Sequence, residues 1–441
     1  VSVPMPTTPA DSDASPTSPA PAARVAYLIP EFPGQTHIWM WREIVHLREA
    51  GVQIDLFSTR RPPQRDRARH AFADGAAAET TYLWPPRPLG MLADLVWALA
   101  RPRRLTAVLK LAFTLPVNRR PAARSLLPLL PAALMLARAV HRRGLDRLHS
   151  HTCSNSAVLA MMAGQLTGRP YSLTLNANVE WWGGAMAEKF GAAQFTAAIT
   201  QWLYDQVRDE FPALGDDQLV LGRIGVDTLK WRPVSGAEVG RAGHTGPLRV
   251  ISVGRLHFSK GYDDLLRAHA QLAADGVDAQ LTLIGDGPDA EALRQQVREL
   301  GLGERVTFTG SLSEDAIIEH FRQADVFVLS SHAEPLGVVL MEAMAMEVAV
   351  IGTDAGGVGE IVTHGRDGLL VPPRDPAALA AGLRTLAHDP ALRLRIAQAG
   401  RRRVIEAFDS RRGAATLFTQ FTGGSPEAML APLQGSEATG P

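Results

Sequence analysis

Ser331-His332-Ala333-Glu334-Pro335-Leu336-Gly337-Val338-Val339-Leu340-Met341-Glu342-Ala343-Met344-Ala345 is the stretch from which the rest of the chain is best read. The run Val326-Phe327-Val328-Leu329 before it has the character of a short buried strand. Pro335 and Gly337 mark a loop, and an apolar, helix-like run follows. This predicts a strand, a turn and a helix, with Glu334 at the mouth of the turn and Glu342 two turns down the helix. In an open parallel sheet, ligands bind outside the carboxyl ends of the strands. Amides at the start of the helix, around Gly337 and Val338, would point at an anion such as a diphosphate. Read alone, the stretch also fits an ordinary loop with two solvated acids. Its surroundings decide between the two.

Working outward, the pattern from Leu248 on is regular. Strands are predicted over 249–253, 280–284, 305–308, 325–329, 348–351 and 368–371, with helical stretches in the gaps. Alternating strands and helices with short loops imply an α/β fold with a parallel, doubly wound sheet. The chain before 222 opens in the same style, with a strand over 24–29, a helix over 37–50 and a strand over 52–57. No G-x-G-x-x-G follows that first strand, so the nicotinamide fingerprint is missing.

Residues 86–145 differ. Apolar runs alternate with basic clusters: Arg101, Arg103 and Arg104, then Arg119, Arg120 and Arg124, then Arg142 and Arg143. Helices with one apolar and one basic face suit an anionic membrane surface. They also suit core helices with solvated arginines.

With 441 residues and 46% hydrophobic composition, the chain can bury large cores and has the length of two or three domains. Lys+Arg and Asp+Glu are both 45, which gives no sign of a nucleic-acid partner. A single cysteine, Cys153, rules out an intrachain disulfide and suits a reducing compartment. Residues 1–23 and 423–441 read as disordered tails, with no signal peptide visible. No uncharged apolar run reaches the roughly 20 residues that span a bilayer. The expectation is a cytoplasmic protein, either free or peripheral on the inner face of the plasma membrane.

Three segments in order resemble one family. Gly254-Arg255-Leu256-His257-Phe258-Ser259-Lys260-Gly261 matches a G-R-L-x-x-x-K-G segment, Glu334 and Glu342 match a Glu-seven-residues-Glu motif, and Gly356-Gly357-Val358-Gly359-Glu360 matches G-G-x-x-E. Together they resemble the retaining glycosyltransferases of family four, which have the GT-B fold. The likeness is strong from about 220 to 408 and weaker from 24 to 220. Phe32-Pro33, Thr36 and Arg42-Glu43-Ile44 resemble the opening of members that build exopolysaccharides of the colanic-acid type.

The resemblance implies two Rossmann-like domains facing across a cleft: an acceptor-binding domain over 24–222, a donor-binding domain over 223–408, and a crossover helix over 409–422. It implies a nucleotide-sugar donor, such as a UDP- or GDP-sugar, a lipid-linked or oligosaccharide acceptor, and no metal. Arg255 and Lys260 would hold the diphosphate, an arrangement that also makes chemical sense for a leaving group with two charges. Glu334 would meet the donor sugar and Glu342 the ribose. Gly254, Leu336, Gly337 and Val338 would line the phosphates, Gly310 the base, and Gly34 a phosphate or the acceptor.

The sequence departs from the family at Asn176, where a histidine near the reacting sugar is usual. Asparagine can hold a hydroxyl but cannot act as a base near neutral pH. Ile224 replaces a hinge asparagine, and Glu347 and Ala349 replace a glycine and a proline after the helix. A nucleotide-sugar epimerase of the same fold, and a non-catalytic scaffold that binds a membrane or partner, remain alternatives.

Overall fold

The computed structural model describes residues 23–86, 88–118, 122–233 and 246–437. Seven strands make a first sheet: β1 Arg24–Leu28, β2 Gln53–Arg60, β3 Thr81–Trp84, β4 Arg147–Ser150, β5 Tyr171–Leu175, β6 Thr196–Ala198 and β7 Leu219–Leu221. Their spatial order is β3-β2-β1-β4-β5-β6-β7. Six more make a second sheet: β8 Leu248–Val253, β9 Ala279–Ile284, β10 Val306–Gly310, β11 Val326–Leu329, β12 Ala349–Thr353 and β13 Leu369–Val371, in the order β10-β9-β8-β11-β12-β13. All pairings between these strands are parallel.

Helices cover both faces, and the central strands follow from that. Every residue of β5, β11 and β12 is buried, as expected for strands with no solvent face. The helix Asn155–Thr167, almost wholly apolar, is buried along nearly its full length. Ser154 caps its start and Gly168, at φ 74°, ends it.

The excursion between β3 and β4 is helical: Pro88–Leu99, Pro102–Thr114, Ala122–Leu126 and Leu130–Arg143. Residues 122–143 are long and apolar enough by composition to cross a membrane, although they are not an uncharged run. They contain Arg124 and Arg138 and pack as core here, with Ala133, Leu136, Ala137 and Val140 fully buried. The outer face of Pro88–Leu99 is different: Met91, Leu92, Leu95, Val96 and Leu99 are exposed. Arg119 and Arg120 lie outside the described residues.

Two crossings join the sheets side by side. Val226 N donates to Phe408 O at 3.0 Å and Ser410 N to Val226 O at 3.0 Å. Buried Asp409 accepts from Thr228 Oγ1 at 2.5 Å and from Arg411 N at 2.8 Å. The helix Ser410–Thr422 then packs on the first sheet's helix Ile38–Glu49, burying Ala414, Leu417 and Phe421. A last helix, Glu427–Glu437, corrects the reading of 423–441 as a disordered tail, since its Met429 and Leu433 are buried. The other tail, 1–22, lies outside the described residues.

Candidate functional site

In each sheet the strand order reverses once, between β1 and β4 and between β8 and β11. These switch points open the crevices where doubly wound folds bind ligands. The loops after β8 and β11 carry Lys260 and Glu334, so residues 74 apart in sequence meet: Lys260 Nζ lies 2.5 Å from Glu334 Oε2. Ser331 Oγ donates to the same oxygen at 3.0 Å. Two glycines let the loops close this tightly. A Cβ on Gly261, at φ 62°, would lie 2.0 Å from Ser330 O, and one on Gly356, at φ 64°, would lie 2.3 Å from Glu334 O.

The amides of Leu336, Gly337 and Val338 have no acceptor among the described residues, at the start of the helix Val338–Ala345. Unpaired amides at a helix start favour an anion. Arg255 is exposed and forms no ion pair among the described residues. Gly254 begins the Lys260 loop, its amide donating to Ile284 O at 2.9 Å. Gly310, at φ 73°, ends β10 and accepts from Gly285 N at 3.0 Å.

Glu342 lies deeper. Its Oε1 is 2.7 Å from Arg42 Nη2, and Arg42 comes from the helix Ile38–Glu49 of the first sheet. The same nitrogen is 2.7 Å from Glu314 Oε1. Glu314 also meets Lys230 Nζ at 2.7 Å and Trp231 Nε1 at 3.0 Å. The two acids separate accordingly. Burial opposes the charge on both, but Arg42 and Lys230 together hold Glu314 down at about 2. For Glu342, burial outweighs Arg42 and raises the carboxyl. A cavity of about 240 Å³ lies behind this network, lined by Trp41, Arg42, His70, Phe72, Lys230 and Glu314. Neither Lys260 nor Glu334 lines it.

The first sheet's wall is built mostly from imidazole and amide groups. Gly34 N donates to His37 Nδ1 at 3.0 Å, so this amide is not free for a phosphate. Burial, helped by His151, lowers His37 to about 4. His151 Nε2 sits 3.0 Å from Glu43 Oε1, which also accepts from Tyr27. Asn176 Nδ2 donates to His151 O at 3.1 Å, and its Oδ1 is buried with no partner. Asn176 therefore stands at the end of β5, beside the first sheet's switch point. Behind it, buried Lys189 donates to the carbonyls of Cys153 at 2.7 Å and Trp182 at 2.8 Å. Trp181 is exposed, whereas Trp182 is half-buried, with Nε1 on Ala177 O.

Cross-cleft contacts are what the sequence reading missed. Glu360 accepts from Gln201 N at 2.8 Å and Trp202 N at 2.6 Å, which caps a first-sheet helix, Gln201–Glu210, with a second-sheet carboxylate. Gln35 Nε2 donates to Leu312 O and Arg69 Nη1 to Ser311 O, both at 3.0 Å. No local pattern marks such partners, because they are distant in sequence. Asp263, Asp264 and His332 also converge, with ligand-type atoms within 4.8 Å. Arg267 already sits 3.3 Å and 2.9 Å from the two acids, and His332 Nε2 lies 2.8 Å from Asp264.

Comparison with known proteins agrees with this geometry. The family described as "Glycosyl transferases group 1" matches residues 241–403. The chain is 34% identical over 206 residues to a glycogen synthase of Mycobacterium tuberculosis, covering 46% of this chain and 48% of that protein. It is 32% identical over 293 residues to the alpha-maltose-1-phosphate synthase of Mycolicibacterium smegmatis, covering 59% of this chain and 74% of that one. The chain thus spans about half the length of the first of these curated relatives and about three quarters of the second. Among solved structures, Anabaena HepE in complex with UDP superposes with a TM-score of 0.63 at 17% identity, covering 94% of this chain and all of that one. At that identity the likeness speaks for the fold, which is the two-sheet GT-B arrangement.

Proposed function

The chain belongs to the group 1 glycosyl transferases, and on that premise we propose that it transfers a hexose from a nucleotide sugar to a lipid-linked or oligosaccharide acceptor, retaining the anomeric configuration, in exopolysaccharide or cell-surface polysaccharide assembly. The observation that carries this reading is the Lys260–Glu334 pair at the second sheet's switch point, beside three unpaired amides. The bound UDP of HepE supports the choice of donor class.

In this reading, the donor's diphosphate takes Lys260 away from Glu334. Lys260, Arg255 and the amides of Leu336, Gly337 and Val338 then stabilise the charge that grows on the leaving group. Glu334, released, faces the donor sugar. The acceptor oxygen forms its bond to the anomeric carbon on the face from which the diphosphate departs, and its proton passes to a diphosphate oxygen. Asn176 holds a donor hydroxyl from the opposite wall and moves no proton.

Glu342 takes the ribose hydroxyls, Gly310 borders the base, and Gly254 lines the phosphates. The exposed stripe Met91, Leu92, Leu95, Val96 and Leu99, near exposed Arg103, Lys110 and Arg124, supports docking on an anionic membrane where a lipid-linked acceptor resides. In this reading the protein works on the cytoplasmic face of the membrane. Sedimentation with phosphatidylglycerol vesicles tests this part: Leu95→Ser/Val96→Ser should release the protein, and unchanged binding would remove the docking role.

The test of the main reading is a thermal-shift screen against UDP, GDP, ADP, dTDP and NAD without metal. A ligand at about a hundred times its Kd adds roughly 2.7 kcal/mol. One nucleoside diphosphate should stabilise the protein, and Lys260→Ala should abolish the shift. A protein indifferent to all five would not be a nucleotide-sugar transferase.

A further inference from the structure

Arg42 belongs to the first sheet's helix Ile38–Glu49, yet both its ion-pair partners belong to the second sheet. The side chains of Arg42, Glu314 and Glu342 are only 7%, 11% and 7% exposed. Trp231 covers the guanidinium at 5.5 Å. The network is complete around Glu314, whose two oxygens meet Arg42, Lys230 and Trp231. Around Glu342 it is incomplete. Only Oε1 is engaged, by Arg42, and Oε2 has no hydrogen bond among the described residues. Arg42 Nε and Nη1 are likewise buried with no partner. Buried polar groups are rarely left unpaired, and two unpaired guanidinium nitrogens on the residue that binds a carboxylate with a free oxygen point to a ligand rich in hydroxyls.

We infer that Arg42 is a positioning residue of the donor site, holding Glu342 from the opposite domain as an oriented carboxylate with one oxygen left for a ribose hydroxyl. This rests on the donor reading given above. A buried carboxylate without a counter-ion takes up a proton, and a carboxylic acid then offers one fewer acceptor to a diol. Glu342 has its counter-ion only when the two domains are closed. Closing the cleft and completing the nucleoside site are therefore one event, which explains how a residue of the acceptor domain sets donor affinity. Lysine at this position would keep the charge and lose the fork that reaches two carboxylates.

Titration calorimetry on the full chain tests the inference, with UDP, GDP and their 2′-deoxy forms as probes. Arg42→Met should weaken the preferred ribonucleotide about tenfold or more, the worth of one charge-assisted bond, and Arg42→Lys should fall between. Wild-type protein should discriminate against the 2′-deoxy form, and Arg42→Met should lose most of that discrimination, as should Glu342→Gln. The double variant Arg42→Met/Glu342→Gln, which buries no unpaired charge at Glu342, should bind no more weakly than Glu342→Gln alone. If the Arg42 variants bind like wild type, or keep the full 2′-deoxy penalty, the inference fails while the donor reading stands. If wild-type protein binds neither ribonucleotide, the donor reading fails and takes the inference with it.

Discussion

The mouths of the two sheets are built from opposite materials. Around β8 and β11 the groups are charged: exposed Arg255, part-exposed Lys260 and buried Glu334, beside unpaired amides. Around β1 and β4 they are more enclosed and mostly imidazole and amide: His149 and His151 are buried, His37 and Asn176 half-buried, and Glu43 is engaged by Tyr27 and His151. The difference fits the ligand each side would meet. A diphosphate calls for cations and helix amides wherever it binds. A sugar hydroxyl calls only for acceptors and donors, which many side chains supply. The two mouths are tied together by a buried ion-pair network, and that tie offers the largest perturbation. Arg42→Met leaves Glu342 buried without its counter-ion and Glu314 with Lys230 alone, and should cost about 3–5 kcal/mol of stability. Chemical denaturation would measure it. A loss below about 1 kcal/mol, the range of a surface pair, would mean that the domains close without this network.

The charged mouth should fail in activity and hold in stability. On the proposed reading Lys260→Ala removes one donor to the leaving diphosphate, so transfer should fall roughly a hundred- to a thousandfold, the effect of losing one preorganised donor. Lys260 is part-exposed, at 29%, so the melting temperature should change little. A variant with wild-type turnover would transfer the chemistry elsewhere and end the contrast between the mouths.

This same contrast explains what was legible in the sequence. The second sheet could be read strand by strand, because its switch-point loops carry charged residues at fixed offsets from apolar strands. Glycines such as Gly261 and Gly356 mark where those loops touch. Strand β3 was not foreseen, since Thr81-Tyr82-Leu83-Trp84 is short and lies between a helix and prolines. The helix Glu427–Glu437 was hidden because Pro432 and Gly435 stand inside it, and these residues ordinarily mark a break. Arg42 and Glu360 could be quoted from motifs, but not their partners, which lie hundreds of positions away or across the cleft. Long-range pairing leaves no local period to detect.

Acid should separate the mouths again. His37, at about 4 in the folded chain, takes up a proton at its ordinary 6.5 once unfolded. The sign follows: the folded pKa is depressed, so its contribution is intact above about 6.5 and lost as pH falls towards 4. At pH 5 this one group costs on the order of 2 kcal/mol relative to pH 8. His46, His70 and His149 on the first-sheet side are lowered by burial too, against His269 in the second. Hydrogen exchange at pH 5 and pH 8 should show β1 and β4 losing more protection than β8 and β11. Equal losses would contradict the asymmetry.

The smallest effect expected belongs to Glu360, and it isolates the tie between the domains from the chemistry of either. Its two oxygens accept from the amides of Gln201 and Trp202, the first turn of a helix in the other domain, where Thr200 already caps Leu203 N at 3.1 Å. The carboxylate therefore adds its charge to an end that has one cap, and losing it should cost about 1 kcal/mol. Glu360→Gln keeps one acceptor and removes the charge, while Glu360→Ala removes both. If the contact acts as a cap, Glu360→Gln should lose less stability than Glu360→Ala, and the loss in Glu360→Gln should shrink as salt is raised. If neither variant loses stability at any salt concentration, the contact contributes nothing and the domains are held by Arg42 and by the buried crossing at Asp409.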